Sequence, residues 1–398
     1  MNNTPVGLPG KGSRISDTTE ERRDLREAVR QLVGSYGRSY FQDVVAKGEH
    51  ADELWSAMGK AGFLGVHLPE EHGGGGGGLA DLAVVIEEMA SQGCPMFMVV
   101  ISPAIAGTVL TAHGTPEQKA KYLPGIADGT FRMAFAITEP DAGSNTHKIT
   151  TTAHKDGDGG WRLRGQKYWT SGVDECQALL VVARDAEPGP DGRHTLSLFI
   201  CDTDAPGLTF QKLDSALMLP EKQFMTFFDD VPVERAGLVG TEGEGLKQVF
   251  AGLNPERVAA ACMANGIARY ALAKGAQYAN ERTVWKAPIG AHQGVAHPLA
   301  ESYIAVELAR LMTMRAAEMS DAGLDAAEAS NIAKFAAGDA AVKALDQAIQ
   351  VHGGNGLSYE YGLADLWFVA RMFKTAPVSR EMVLNHVAQH SLGLPKSY

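Results

Sequence analysis

Between about residue 134 and residue 244 the chain changes texture, and that change constrains the fold more than any other feature. Short apolar runs, AFAIT, WRLRG, ALLVVA, TLSLFI and FMTFF, are punctuated there by DGDGG, PGPDG and DAPG. Runs of this length, with alternation in WRLRG and glycine-rich turns between them, predict an antiparallel sheet. On either side the apolar residues recur at helical spacing. Before the sheet they are Leu25, Val29, Leu32, Val33 and Tyr36; after it, Ile304, Leu308, Leu311 and Met312 share a face, as do Ile332, Phe335, Val342, Leu345 and Ile349. The order predicts an N-terminal α-helical domain over 1–133, with a loose tail at 1–16, a β domain over 134–244 and a helical bundle over 245–398.

A length of 398 residues exceeds one ordinary core, which agrees with that division. A net charge of −11 without any basic stripe argues against nucleic acid. The four cysteines (Cys94, Cys176, Cys201, Cys262) form no C-x-x-C pair and no zinc spacing, so no metal is expected and a reducing, cytoplasmic setting fits best. No segment reaches the roughly 18 apolar residues of a membrane span. The six glycines in PEEHGGGGGGL lack the Lys-Ser/Thr of a phosphate loop and read as a flexible loop.

Four stretches carry chemistry. In AFAITEPDAGSN (134–145) a buried strand runs into Thr138 and a turn rich in hydroxyls and free N–H groups. GQKYWTSG (165–172) sets the aromatic plane of Trp169 before the hydroxyls of Thr170 and Ser171. In NERTVWKAPIGAHQ (280–293), Arg282 is suited to a pyrophosphate, with Trp285 and Gln293 beyond it. QAIQVHGGNGLSYEYG (347–362) closes a helix with Gly353, Gly354 and Gly356, more glycine than a helix C-cap requires.

Together and in this order, these stretches resemble the acyl-CoA dehydrogenase family over nearly the whole chain. ITEPDAGSN resembles its first signature, with Asn145 where Asp is usual, and VPVERAGLVGTEGEGL (231–246) resembles the strand leading into its third domain. The resemblance implies a mainly α fold with a central β-barrel and a C-terminal four-helix bundle, assembled as a homotetramer. It implies FAD as cofactor, an acyl-CoA substrate and an electron-transferring flavoprotein as acceptor. By matching position, Phe135, Ile137, Thr138, Gly143 and Ser144 line the flavin and thioester region, with Ser144 also a substrate contact. Trp169 lies against the isoalloxazine, and Thr170 and Ser171 follow it, Ser171 as a hydrogen-bond partner. Arg282, Trp285, Gln293, Gln350, Gly353 and Gly354 reach the FAD of a neighbouring subunit.

One departure concerns the base. The family's usual carboxylate falls at Pro377 in KTAPVSREM (374–382), while Ser379 and Glu381 match flavin contacts that follow it. In a branch that includes the isovaleryl and long-chain enzymes, the base comes from an E-R pair on a helix, which Glu256-Arg257 in LNPERVAAACM resembles. Read from residues alone, Glu256 after Pro255 is in the first place a helix-start partner of the dipole, contributing about 0.3 to 1 kcal/mol. Glu381 is the rival base, and Arg257 is either a contact to the CoA portion or a surface ion pair. The expected reaction is α,β-dehydrogenation to a trans-2-enoyl-CoA. Alternatives are an oxidase or flavin monooxygenase of the same fold and a non-catalytic CoA-binding subunit. Met96, Met98 and Val99 are candidate pocket residues.

Overall fold

The computed structural model describes residues 7–8, 19–189 and 192–396. The tail expected over 1–16 lies outside these apart from Gly7 and Leu8. The first part is helical: α1 (Glu20–Lys47), α2 (Asp52–Lys60), α3 (Leu79–Ser91), a π-helical segment (Val100–Gly107) continuing into α4 (Thr108–His113), and α5 (Pro116–Asp128). Thr19 starts α1 by accepting the Arg22 N–H, with Glu20 and Glu21 in the first turn beside the positive dipole end.

The glycine run departs from the flexible loop expected of it. Gly75, Gly76 and Gly77 donate to the carbonyls of Gly65, Leu68 and Val66, each at 2.9 Å. A Cβ on Gly74 would sit 2.2 Å from the Leu68 carbonyl oxygen, and one on Gly78 would sit 2.3 Å from the Asp321 carboxylate. Backbone crowding therefore requires glycine at position 74, and a side chain at 78 would displace the Asp321 carboxylate. Asp321 in turn caps α3, accepting from Leu79 N at 2.6 Å and Ala80 N at 3.0 Å.

The sheet follows: β1 (Met133–Ala136), β2 (Thr152–Lys155), β3 (Trp161–Ser171), β4 (Ala178–Asp185), β5 (Leu196–Asp202), β6 (Leu208–Lys212), β7 (Gln223–Val233) and β8 (Leu238–Val239). Its hydrogen-bonded order is β6-β7-β3-β2-β4-β5-β8, with β1 paired to β4. The closed barrel expected from the resemblance is corrected here: among the described residues β6 and β8 end an open path. β8 is two residues long and β6 is exposed along all but its first residue, so neither offers a partner to close the ring.

The last part begins with α6 (Gly245–Glu281), then a hairpin of β9 (Thr283–Val284) and β10 (Ala287–Pro288), α7 (Gln293–Asp321) and α8 (Ala327–His352). Beside these three long helices the bundle ends in two short ones, α9 (Trp367–Met372) and α10 (Arg380–His386). The turn between them contains Pro377, which cannot donate a helical N–H. On α7 the packed face is built from Val306, Ala309, Thr313 and Ala316, whereas Ile304, Leu308 and Leu311, expected in the bundle core, are exposed. Alanine and glycine on the inner faces bring α6 and α8 close: a Cβ on Gly275 would meet Ala348 at 3.4 Å.

Charges join the parts as well as apolar packing does. Glu87 and Glu88 on α3 accept from Arg26 of α1 and Arg269 of α6, and Glu87 also from Arg310 of α7. Burial alone would raise the Glu87 carboxyl, but the guanidiniums of Arg310, Arg26 and Arg269 hold it far below the ordinary range.

Candidate active site

The end of β3 carries the first group. The register with β7 slips between Lys167, opposite Thr226, and Thr170, opposite Phe224, so two residues oppose one. Trp169 in this bulge has φ of 60°, a conformation that bulky residues rarely adopt, and the residue is 47% exposed. Thr170 and Ser171 turn inward: Thr226 donates its hydroxyl to Thr170 at 3.0 Å, and Ser171 donates to Gln223 Oε1 at 2.7 Å.

The AFAIT stretch is tied to this bulge. Tyr168 N donates to the Thr138 carbonyl at 2.8 Å, and Lys167 Nζ donates to the Ile137 carbonyl at 3.1 Å and to Glu139 at 2.8 Å. Burial pushes the Lys167 amine down to about 8, opposed by Glu139. Burial would raise Glu139, yet Lys167 and the N–H groups of Thr150 and Thr151 hold it down to about 2, so the pair stays ionic at neutral pH. Phe135, Ile137 and Thr138 are half-buried beside the bulge, and Gly143 and Ser144 are exposed on the turn beyond. Sequence reasoning passed over the Lys167–Glu139 pair. The signal was present, since alternation puts Lys167 on the same inward face as Trp161 and Leu163, where an amine needs a partner.

Glu256 belongs to a second group. α6 begins at Gly245, where a Cβ would strike β5 at Leu196 and Ser197, so Glu256 lies eleven residues inside the helix. That corrects the helix-start reading, because the dipole benefit fades beyond the first turn. The carboxyl is half-buried and has no hydrogen-bond partner among the described residues. Burial raises it to about 7, with Arg257 pulling the other way. Arg257 donates to Asn254 Oδ1 at 2.5 Å rather than forming the ion pair considered above, and its charge is felt by Lys334 and His386.

The KTAPVSREM stretch meets this group. Ser379 caps α10, accepting from Met382 N at 3.3 Å, and Glu381 is exposed in its first turn. Lys334 of α8, which sequence reading did not single out, is buried and donates to the Val378 carbonyl next to Pro377. Burial lowers the Lys334 amine to about 8, against the charges of Glu381 and Asp339.

The remaining residues collect at the other end of α6. Arg282 ends the helix, exposed and without a side-chain partner among the described residues. Trp285 follows in the turn of the β9-β10 hairpin, 89% exposed at φ of 55°. Gln293 opens α7 and is exposed. Gln350, Gly353 and Gly354 close α8 beside the same end: Asn355 donates to the Tyr278 hydroxyl at 3.1 Å, and His352 stacks on Tyr278 at 4.2 Å. Glu256 and Arg282 are separated by roughly 39 Å at 1.5 Å per helical residue. The structure thus brings the predicted residues together in clusters, and not in one pocket of a single chain. Met96, Met98 and Val99 are core residues, buried almost completely.

Each part of this architecture matches a separate family model, and all three describe one class of oxidoreductase. The acyl-CoA dehydrogenase N-terminal domain matches residues 19–130, the middle domain 134–231 and the C-terminal domain 243–392. The chain belongs to the acyl-CoA dehydrogenase family. It is 54% identical to acyl-CoA dehydrogenase FadE12 of Mycobacterium tuberculosis, covering 96% of this chain and 98% of that one. Among solved structures, a glutaryl-coenzyme A dehydrogenase in complex with glutaryl-CoA superposes with a TM-score of 0.90 at 29% identity, covering 96% and 97% of the two chains. The butyryl-CoA dehydrogenase of Megasphaera elsdenii superposes with a TM-score of 0.89 at 26% identity, covering 94% and 99%.

Proposed function

We propose that the protein removes hydrogen from the α and β carbons of an acyl-CoA thioester to give a trans-2-enoyl-CoA, with Glu256 as the base. The observation that carries this is the Glu256 carboxyl, desolvated, unpartnered among the described residues and raised to about 7, in a chain whose position 377, where the family's usual carboxylate falls, is a proline. A base with a value near the working pH combines a sizeable ionised fraction with real basicity.

The residues present suit FAD. An exposed aromatic residue, Trp169, directly precedes two inward hydroxyls in the chain, and Arg282 offers an uncommitted guanidinium fork for a pyrophosphate. Bound FAD supplies the acceptor for the β hydride. Around it Phe135, Ile137, Thr138, Gly143 and Ser144 line the ring and thioester region, with Thr170 and Ser171 at the ring edge. Ser379 and Glu381 complete the cofactor contacts, and Arg257 takes the CoA portion. Arg282, Trp285, Gln293, Gln350, Gly353 and Gly354 hold the cofactor of a neighbouring copy in a homotetramer. The exposed Ile304, Leu308 and Leu311 stripe supports such assembly, since apolar faces of this kind mark contacts. The domains run 1–133, 134–244 and 245–398, electrons leave to an electron-transferring flavoprotein, and four free buried cysteines fit a cytoplasmic setting.

The test is anaerobic titration of the FAD-loaded protein with straight, branched and cyclic acyl-CoAs. Bleaching of the visible flavin band by at least one is expected, with slow return in air. No bleaching by any thioester overturns the dehydrogenase reading, and rapid reoxidation by air in its place indicates an oxidase.

A further inference from the structure

Ser171 and Gln223 face each other across β3 and β7. The Ser171 hydroxyl donates to Gln223 Oε1 at 2.7 Å, and Gln223 Nε2 donates to the Glu221 carbonyl at 3.2 Å. The second bond fixes the first. Turning the amide over would set its oxygen against the Glu221 carbonyl oxygen, acceptor to acceptor. Gln223 is 4% exposed and Ser171 7%, which leaves little room for water to intervene. The segment carrying Gln223 is itself held, since Gly172 N donates to the Lys222 carbonyl at 2.8 Å and Met98 N to the Glu221 carboxyl at 2.9 Å. A hydroxyl has one hydrogen. With that hydrogen committed to Gln223, Ser171 presents only lone pairs to whatever lies against the end of β3.

We propose that Gln223 is a positioning residue that makes Ser171 a hydrogen-bond acceptor toward the flavin and thereby favours the reduced ring over the oxidised one. This rests on the reading of Ser171 as a flavin contact. Two-electron reduction converts an acceptor nitrogen on the ring into an N–H donor. A hydroxyl held as an acceptor pairs with that donor, whereas against the oxidised ring it sets lone pair to lone pair. Without Gln223 the hydroxyl is free to rotate and donate to the oxidised ring, and the bias is lost.

The test uses the full-length, FAD-loaded protein and measures the two-electron flavin potential by anaerobic equilibration with a reference dye. Gln223→Met removes the acceptor at nearly equal volume. The net worth of one hydrogen bond corresponds to a roughly two- to tenfold fall in the reduced-to-oxidised ratio. For a two-electron couple that is about 10 to 30 mV downward. In a Ser171→Ala background the same substitution is expected to shift nothing, which separates positioning from a general structural effect. A loaded Gln223→Met protein with the parental potential overturns the proposal, as does an equal shift in the Ser171→Ala background. If Gln223→Met does not fold, Gln223→Asn keeps an amide but withdraws it by one methylene, and carries the same expected and overturning results. A parent protein that takes up no FAD overturns the flavin reading itself, while a loaded protein with the wrong shifts leaves that reading standing.

Discussion

The two ends of α6 are opposites. In its first half, eleven residues past Gly245, Glu256 is a desolvated acid that no other side chain satisfies among the described residues; at its finish, Arg282 is a solvated cation with an exposed tryptophan three residues on. Dry surroundings raise a carboxyl's basicity, which suits proton abstraction. Wet surroundings leave a guanidinium reachable, which suits an anion arriving from outside. In the proposed homotetramer one helix would carry two half-sites of different character, with a second copy of the chain supplying each missing half.

Breaking the dry end should give the largest effect. Glu256→Gln keeps the size of the side chain and removes the base, so anaerobic single-turnover flavin reduction is expected to slow by about 10² to 10⁴ with flavin still bound. Glu381→Gln, run beside it, is expected to reduce at close to the parental rate, and the opposite outcome moves the base to α10. Breaking the wet end should act on binding instead. Arg282→Ala forfeits a charge-assisted contact worth about 1.5 to 3 kcal/mol, so ultrafiltration should show FAD retained roughly ten- to a hundredfold more weakly. Trp169→Phe is the control that should keep its flavin.

The dry end also has a signature in stability. Glu256 holds its proton more tightly folded, at about 7, than the ordinary 4.5 of the unfolded chain. Its contribution is therefore full below pH 4.5 and lost as pH rises through 7. Glu256→Gln should match the parent in urea unfolding at pH 4. At pH 8 it should be more stable by about 1 to 3 kcal/mol, a range discounted for the partial exposure of the site. A smaller effect sharpens the comparison most. Mixing Glu256→Gln and Arg282→Ala chains and reassembling them should restore roughly a quarter of the parental sites if each site takes one end from each of two copies. No recovery in verified mixed assemblies would overturn the pairing of the two ends between copies.

How much of this was legible depended on whether a residue's role was local. WRLRG, ALLVVA and TLSLFI became β3, β4 and β5 because alternation and burial act strand by strand. Closure of the sheet was not legible, since it depends on how far β6 and β8 lie apart. Ile304 and Leu308 show the same limit: helical periodicity reports an apolar face and is silent on whether this chain or another covers it. For Glu256, the neighbouring Pro255 suggested a helix start, but helix-forming residues continue back to Gly245 and the proline is accommodated inside. Gln223 carried no signal of its own, because its meaning comes from Ser171 on a strand about fifty residues away in the chain.

The glycine run has a bearing on inheritance. Six identical residues in a row are encoded by a repetitive tract, the kind of sequence whose length drifts by slippage when DNA is copied. A linker of indifferent length would absorb such drift. Here each position is counted: three amides are matched to fixed carbonyls, and the residues just beyond the run must reach Asp321 on α7. One glycine more or fewer displaces Leu79 and Ala80 by up to about 3.3 Å along the chain, enough to break both contacts. The stretch that looks most dispensable on paper is one where a three-nucleotide copying error should be selected against.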